Sequence, residues 1–227
     1  MNPLFLILVI GFPLISQFVA GNLRKRFVRY SADPMPMTGA EVAHKMLADN
    51  NITDVEVIPT QGELTDHYDP RTRTVALSEV VYSRANVAAC AVAAHECGHA
   101  VQHATRYPLL GMRSRMVPLL KLSNAVLPFI SIGGASLFAY GNSNFIAFCL
   151  LGLLALPALF SLITLPVEFN ASSRALTWME VTGVANDSNH SGAKNALWWA
   201  AMTYVIAALG SIAQVAYFAQ HILGRRR

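Results

Sequence analysis

Long apolar runs without charged side chains alternate with polar sections along this chain. Residues 1–23, 122–167 and 195–224 contain no Asp, Glu, Lys or Arg. A membrane-spanning helix needs about 20 predominantly apolar residues. The first and third runs are long enough for one span each, and the second is long enough for two, with a turn at Gly141–Asn144. The pattern predicts a mainly α-helical integral membrane protein with about four transmembrane helices.

The polar section after the first run shows helical and strand patterns in turn. Thr38 followed by Glu41 forms a capping box, which predicts the start of a helix. The stretch "TDVEVIPT" alternates as a strand does, and "ELTDHYD", a turn at "DPRT" and "TVALS" predict a hairpin. Another helix is predicted from Ser83 to just before Pro108. We therefore expect a small α+β extramembrane section.

The second polar section follows the long apolar run. A helix is predicted to start near Pro166, because proline is favoured in the first turn of a helix. The stretch "NDSNHSG" is typical of a loop, and the last apolar run begins at Asn195. The predicted segments are a membrane anchor (1–23), an α+β section (24–115), a transmembrane hairpin (116–166), a helix and loop (167–194), and a last hydrophobic segment with a basic tail (195–227).

Charge supports the membrane interpretation and suggests an orientation. Only 13% of the residues are charged, against roughly 25% in a typical soluble domain. Basic residues follow the first apolar run at Arg24–Arg29 and precede the second at Arg113–Lys121, which favours a cytoplasmic location for these flanks. The net charge of +4 then needs no nucleic acid to explain it, and the lipid bilayer is the expected partner. Four full spans would put Arg225–Arg227 on the opposite side, whereas the positive-inside tendency favours the cytoplasmic side for both basic groups. Either the last segment is interfacial or re-entrant, or it spans and the basic tail departs from this tendency.

One polar motif stands out inside an apolar helical stretch. "AAHECGHAVQHA", residues 93–104, contains the pattern H-E-x-x-H. Side chains at i and i+4 share one face of a helix, so His95 and His99 can bind one Zn²⁺ through their imidazole nitrogens. Glu96 lies beside that face, where it can take a proton from a water molecule and pass it to a leaving amine. Buried polar groups without partners are costly, and a metal ion would satisfy them.

A third metal ligand must come from elsewhere in the chain. His103 is eight residues from His95, about 12 Å along a helix at ~1.5 Å per residue, which is too far to share one ion. Glu168 is the first charged residue after the predicted transmembrane hairpin, which returns the chain to the side it left. Two histidines and a glutamate with an open fourth position form a known catalytic zinc set. Glu180, Asp187 and His190 are the alternative candidates on this argument.

The stretches "AAHECGHAVQ" and "PVEFNASSRAL", with a hydrophobic hairpin between them, resemble the YugP-type bacterial membrane zinc metallopeptidases. The resemblance extends over nearly the whole chain, and more distantly it reaches the HtpX and Ste24 proteases. It implies one Zn²⁺ per chain, with His95, His99 and Glu168 as ligands and Glu96 as the base. In the distant relatives an acidic residue follows the alanine of E-F-x-A, whereas Ser172 stands here. Ser172 or Asn170 would then contact a ligand histidine.

Further residues are candidates for substrate and transition-state contacts. A developing oxyanion would require a donor besides the metal, and the candidates are His67, Tyr68 and Arg174. Metallopeptidases often hold a substrate in extended form against an edge strand, through main-chain hydrogen bonds. The strand "RTVALS" precedes the motif helix, so Arg73, Val75 and Leu77 are candidates for this contact.

These patterns predict a zinc-dependent membrane endopeptidase. We expect a multi-pass protein of the bacterial inner membrane, with its catalytic section on the cytoplasmic side. The expected substrates are membrane-associated proteins or unfolded segments. A membrane adaptor or chaperone-like protein with a structural zinc site is the alternative, although such a site needs no base and is usually closed by four protein ligands. A metal transporter is disfavoured because it would place ionisable groups inside its spans.

Overall fold

The computed structural model describes residues 3–140 and 144–224. The predicted turn residues 141–143 and the basic tail 225–227 lie outside that part. The helices are α1 (Pro3–Leu6), a π-helical turn (Ile7–Gly11), α2 (Phe12–Tyr30), α3 (Gly39–Asp49), α4 (Glu79–Tyr82), α5 (Val87–Ala104), α6 (Pro108–Tyr140), α7 (Asn144–Val181) and α8 (Asp187–Gly224).

The chain is mainly helical, as predicted, and several helices are long and apolar enough to cross a membrane. The three candidate spans among the described residues are Ile7–Tyr30, Ala147–Val181 and Asp187–His221. The expected count of four is not confirmed. The remaining predicted span falls on α6, and the side chains of its residues 130–140 lie outside the described part.

The chain divides into two compact units. The first unit comprises Met1–Phe18, Met112–Leu165 and Thr203–Arg227, and the second comprises Val19–Gly111 and Pro166–Met202. Within the first unit, the buried Ser123 on α6 donates a hydrogen bond to the Leu153 carbonyl of α7 at 3.0 Å. Such a bond satisfies a hydroxyl that apolar surroundings would otherwise leave without a partner.

Helix α3 of the second unit starts at the predicted capping box. The Thr38 hydroxyl accepts a hydrogen bond from the Glu41 backbone N–H at 3.2 Å, and the Glu41 carboxylate accepts one from the Thr38 N–H at 2.7 Å. The pair satisfies two N–H groups that the first helical turn leaves open. The apolar face of α3, with Val42 and Met46, is buried in the core that also contains α5.

A three-stranded sheet lies beside these helices. Its strands are β1 (Glu56–Thr60), β2 (His67–Asp69) and β3 (Thr74–Ser78), in the order β1-β3-β2. Strands β2 and β3 form the predicted antiparallel hairpin, whereas β1 pairs with β3 in parallel.

The central position of β3 corrects one expectation. Val75 pairs with Val57 on one side and with Tyr68 on the other. Val75 and Leu77 are completely buried, and Arg73 lies in the turn before the strand with φ of 55°. The expectation that Arg73, Val75 and Leu77 form an edge strand for a substrate is therefore wrong, because β3 lies between β1 and β2. Both neighbours pair at Val75, Arg73 precedes the strand, and Leu77 pairs with Pro59 of β1.

The motif helix α5 begins later than predicted. Ser83 follows the short helix α4, and the side chain of Asn86 accepts a hydrogen bond from the Ala89 N–H at 2.9 Å. Asn86 therefore caps α5, and the helix runs from Val87 to Ala104. The predicted end before Pro108 agrees with the structure.

The two long helices also differ from the predicted elements. Helix α7 continues through Pro166, so no helix starts there. The stretch expected as a loop from residue 186 lies largely in α8, which begins at Asp187. The side chain of Asn186 accepts a hydrogen bond from the Asn189 N–H at 2.8 Å, and this cap starts the helix ahead of the apolar run.

Candidate metal centre

Two histidines of α5 and one glutamate of α7 come together inside the second unit. The Nε2 atoms of His95 and His99 lie 3.3 Å and 3.7 Å from Oε2 of Glu168. The possible ligand atoms of these three side chains all lie within 4.8 Å of one another. Glu168 and His99 are buried, and His95 is partly exposed.

Close contact between the two helices makes this grouping possible. A Cβ atom added to Gly98 would lie 2.5 Å from the carbonyl oxygen of Ala171. Glycine at this point therefore lets the α7 backbone approach α5 between the two histidines. Ala171 is itself completely buried. The small side chains in "HECGH" and "EFNA" thus set the distance between the ligand helices.

Nδ1 of each of these histidines has its own hydrogen-bond partner. Nδ1 of His95 lies 3.1 Å from the Ser172 hydroxyl, and Nδ1 of His99 lies 3.0 Å from Oε1 of Gln102. Each imidazole thus uses Nδ1 for an orienting hydrogen bond and directs Nε2 toward Glu168. Metal-bound histidines usually have such a partner on the second nitrogen. Two imidazoles and one carboxylate also match a catalytic zinc set, so the residues fit this ion.

Sequence reasoning missed Gln102. Its side chain is completely buried, and Nε2 donates hydrogen bonds to the Val167 carbonyl at 2.8 Å and to Oδ1 of Asn170 at 3.0 Å. The signal that could have found it is its spacing three residues after His99, which puts both side chains on one side of α5. Asn170 was expected as a possible partner of a histidine, but it hydrogen bonds to Gln102, while Ser172 makes the direct contact.

The electrostatics of His99 reflect its two acidic neighbours. Burial alone would lower the pKa of His99. The Glu168 carboxylate, whose Oε2 lies 3.7 Å from Nε2 of His99, and the negative charge of Glu96 outweigh burial and hold the pKa above its ordinary value. A cation at this position is therefore favoured, whether it is a proton or a metal ion.

Glu96 lies next to His95 on α5 and is 8% exposed. Within residues 3–140 and 144–224, its carboxylate has no hydrogen-bond partner. Since the carboxylate is not engaged in a structural bond, it can accept a proton from a bound molecule.

The three residues that are candidates for donating a hydrogen bond to the oxyanion lie in different surroundings. The Tyr68 hydroxyl lies 2.7 Å from Nδ1 of His103, one turn beyond His99 on α5, and burial raises the pKa of Tyr68 to about 12. His67 is exposed, and its Nδ1 lies 2.7 Å from the Thr65 carbonyl. Nε of Arg174 donates to Oδ1 of Asn170 at 2.9 Å. The structure therefore puts Tyr68 against the motif helix and Arg174 at the outer end of the Gln102 network.

The alternative third ligands lie apart from the histidines. Glu180 is 4.0 Å from Nε2 of His190, and Asp187 begins α8. In the part of the chain that the structure describes, His95, His99 and Glu168 form the only group of three or more side chains with metal-binding spacing.

Comparisons with known proteins also point to zinc. A family model described as "Putative neutral zinc metallopeptidase" matches residues 5–222. The curated protein "Putative membrane protease YugP" of Bacillus subtilis (strain 168) is 39% identical over 225 residues, which cover 98% of each chain. No solved structure matches the chain. With a family match over nearly its full length, the chain belongs to this zinc metallopeptidase family.

Proposed function

We propose that this protein is a zinc-dependent membrane endopeptidase. His95, His99 and Glu168 hold one zinc ion per chain, and Glu96 is the general base. The observation that carries the proposal is the convergence of two histidine Nε2 atoms on the Glu168 carboxylate, within 3.7 Å. Glu96 lies next to His95 on α5, and no described residue forms a hydrogen bond with its carboxylate.

The chemistry follows from these positions. A zinc ion in this donor set supplies Lewis acidity, which polarises a peptide carbonyl and makes a water molecule more acidic. Glu96 accepts a proton from the attacking water and delivers it to the leaving amine. Ser172 holds the ring of His95 through Nδ1 at 3.1 Å. These groups together hydrolyse an amide bond.

Additional donors would stabilise the charge that develops on the carbonyl oxygen. Of His67, Tyr68 and Arg174, Tyr68 has the best support, because its hydroxyl lies against α5 at His103. Its raised pKa keeps the phenol protonated and able to donate. Arg174 is turned toward Asn170, which suits a supporting role.

The membrane location indicates which substrates the protein can reach. The relative from Bacillus subtilis is named a membrane protease, and three described helices could span a bilayer. We infer a multi-pass protein of the bacterial inner membrane with α6 as a fourth span and the catalytic section on the cytoplasmic side, because the basic flanks favour that side. Membrane-associated or unfolded proteins are the substrates within reach.

A non-proteolytic adaptor with a structural zinc site is the second candidate. An adaptor has no use for a base beside the metal, so Glu96 distinguishes the two functions. The test uses full-length wild type and Glu96→Gln in detergent, with bound zinc measured by elemental analysis and cleavage measured with unfolded casein and with a detergent-solubilised membrane protein.

The two candidates predict different results. An endopeptidase with Glu96 as its base gives about one zinc per chain in both proteins and cleavage by wild type alone. Equal cleavage by Glu96→Gln would remove Glu96 from the mechanism. Zinc in both proteins without cleavage of either substrate would favour the adaptor.

A further inference from the structure

Gln102 is a completely buried amide whose hydrogen-bonding groups all have partners. Oε1 lies 3.0 Å from Nδ1 of His99, and Nε2 reaches the Val167 carbonyl at 2.8 Å and the Asn170 side chain at 3.0 Å. The side chain thus extends from α5 to α7 and meets α7 at the residue before Glu168. Gln102 has no role in the proposed hydrolysis.

The partners of Gln102 determine how its amide is oriented. The Val167 backbone carbonyl can only accept a hydrogen bond, so the NH₂ group of Gln102 must face it. Arg174 supports this orientation, because its Nε donates to Oδ1 of Asn170 at 2.9 Å and fixes that oxygen as the second acceptor. The carbonyl oxygen of Gln102 is then left to face His99.

This orientation decides the protonation of one histidine nitrogen. An amide oxygen can only accept, so Nδ1 of His99 must carry a hydrogen atom. The lone pair of a neutral His99 is then on Nε2, which lies 3.7 Å from Glu168. A flipped amide would set two oxygens against each other at Val167. A backbone carbonyl of α7 therefore controls, through Gln102, which nitrogen of His99 can bind a metal ion.

We propose that Gln102 is a positioning residue of the metal centre. It holds His99 in the tautomer that binds metal through Nε2, and it ties α5 to the α7 backbone beside Glu168. This inference rests on the proposed zinc site, and it adds a residue that acts through His99 without touching the metal or the substrate.

A role in the metal centre differs from a role in general packing. If Gln102 only filled space between helices, an apolar side chain of similar size would lower stability without a specific effect on zinc. Loss of an orienting partner of a ligand histidine instead weakens metal binding by about 10–100-fold. Zinc affinity and the electronic spectrum of a substituted metal therefore separate the two roles, and neither requires peptidase activity.

The experiment compares full-length wild type with Gln102→Leu and Gln102→Glu in detergent. Cys97→Ala is the matched control: Cys97 is equally buried on α5, but its Sγ contacts the Ala43 carbonyl of α3 at 3.6 Å. Zinc affinity is measured by competition with a chromophoric chelator, the coordination by the visible spectrum of the cobalt-loaded protein, and folding by thermal unfolding of each metal-free variant.

We expect Gln102→Leu to bind zinc about 10–100-fold more weakly than wild type and to shift the cobalt bands. In Gln102→Glu, burial and the Val167 carbonyl favour the protonated carboxyl, which donates its O–H to Val167 and offers its other oxygen as an acceptor to Nδ1 of His99. Its zinc affinity is therefore expected to return to within about tenfold of wild type, again on the scale of such orienting contacts. Cys97→Ala keeps the wild-type affinity and spectrum, even where its unfolding temperature falls.

Wild-type zinc affinity in folded Gln102→Leu would overturn the inference. If Gln102→Leu does not fold, Gln102→Glu decides: zinc binding as weak as that of His99→Ala would overturn the inference, and near-wild-type binding would support it. A wild type that binds no zinc is a separate result, which would refute the proposed function itself.

Discussion

The two ends of the candidate metal centre are built differently. At one end, His99 is held by Gln102, which is completely buried and makes two further hydrogen bonds to α7. At the other end, His95 is held by the hydroxyl of Ser172. Ser172 also lines a cavity of about 320 Å³ whose walls come from α7 and α8, including Phe169 and Trp198.

This difference separates a structural end of the metal centre from an accessible one. Buried hydrogen-bond networks fix side chains strongly, because an unmade bond in the interior is costly. The His99 end therefore sets the geometry of the ligands. The His95 end, beside a cavity, leaves room for a bound molecule, and we expect a substrate to approach from that side.

The largest effect on stability and zinc binding is expected at Gly98, because both ends of the metal centre depend on the contact between α5 and α7 there. Gly98→Ala puts a Cβ 2.5 Å from the Ala171 carbonyl oxygen, so α7 must move away from α5 and take Glu168 with it. Overpacking of this kind costs about 1–3 kcal/mol. We expect a lower free energy of unfolding together with weaker zinc binding, measured by thermal unfolding and by chelator competition.

Gly111→Ala is the control for that substitution. A Cβ at Gly111 meets no atom within 4 Å, and alanine is a better helix former than glycine by about 1 kcal/mol. Unchanged or slightly higher stability is expected there, with unchanged zinc affinity. If Gly98→Ala behaves in the same way as Gly111→Ala, the close helix contact does not set the ligand geometry.

An effect of intermediate size is expected from pH on the stability of the metal-free protein and on zinc binding. The pKa of His99 is raised, chiefly by Glu168 against the effect of burial, so the metal-free protein gains stability from protonated His99 at low pH and loses it as the pH rises through that pKa. Zinc binds the neutral imidazole, so zinc affinity increases as the pH rises.

Thermal unfolding of the metal-free and zinc-loaded protein between about pH 5 and pH 8 measures this linkage. We expect the increase in unfolding temperature caused by zinc to grow with pH. His99→Ala serves as the comparison, since it removes both the proton site and the ligand. A zinc effect that is independent of pH in wild type would contradict competition between proton and metal at His99.

The smallest effect is expected at the accessible end. Ser172→Ala removes the hydroxyl beside His95, but water from the adjoining cavity can take its place. We expect zinc affinity to fall by less than the 10–100-fold typical of a lost orienting contact, and less than in Gln102→Leu. An equal or larger loss in Ser172→Ala would reverse the comparison between the two ends.

Much of the site can be predicted from short-range sequence patterns. The features that cannot be predicted in this way depend on contacts between residues far apart in the sequence. The H-E-x-x-H spacing and the capping box at Thr38 depend on neighbouring residues alone, so both could be recognised directly. The central position of β3 depends on its parallel pairing with β1, which no local pattern reveals. The strand edge expected at Val75 was wrong for that reason.

Helix boundaries were predicted less well, because competing caps look alike in sequence. Ser83 and Asn86 can both cap a helix, and the fold uses Asn86 for α5. Polar residues after Asn186 suggested a loop, but the Asn186 cap begins α8 there. Gln102 was missed because its partners, Val167 and Asn170, are more than 60 residues away.

X-ray absorption at the zinc edge of the purified, zinc-loaded wild type tests directly whether His95, His99 and Glu168 bind the metal ion. Ligation by His95, His99 and Glu168 predicts two imidazole nitrogens at about 2.0–2.1 Å and a carboxylate oxygen at about 2.0–2.2 Å, with the signal reduced to that of one imidazole in His99→Ala and the oxygen contribution changed in Glu168→Gln. A sulfur shell at about 2.3 Å, or a wild-type spectrum in Glu168→Gln, would contradict the assignment of His95, His99 and Glu168 as the metal ligands.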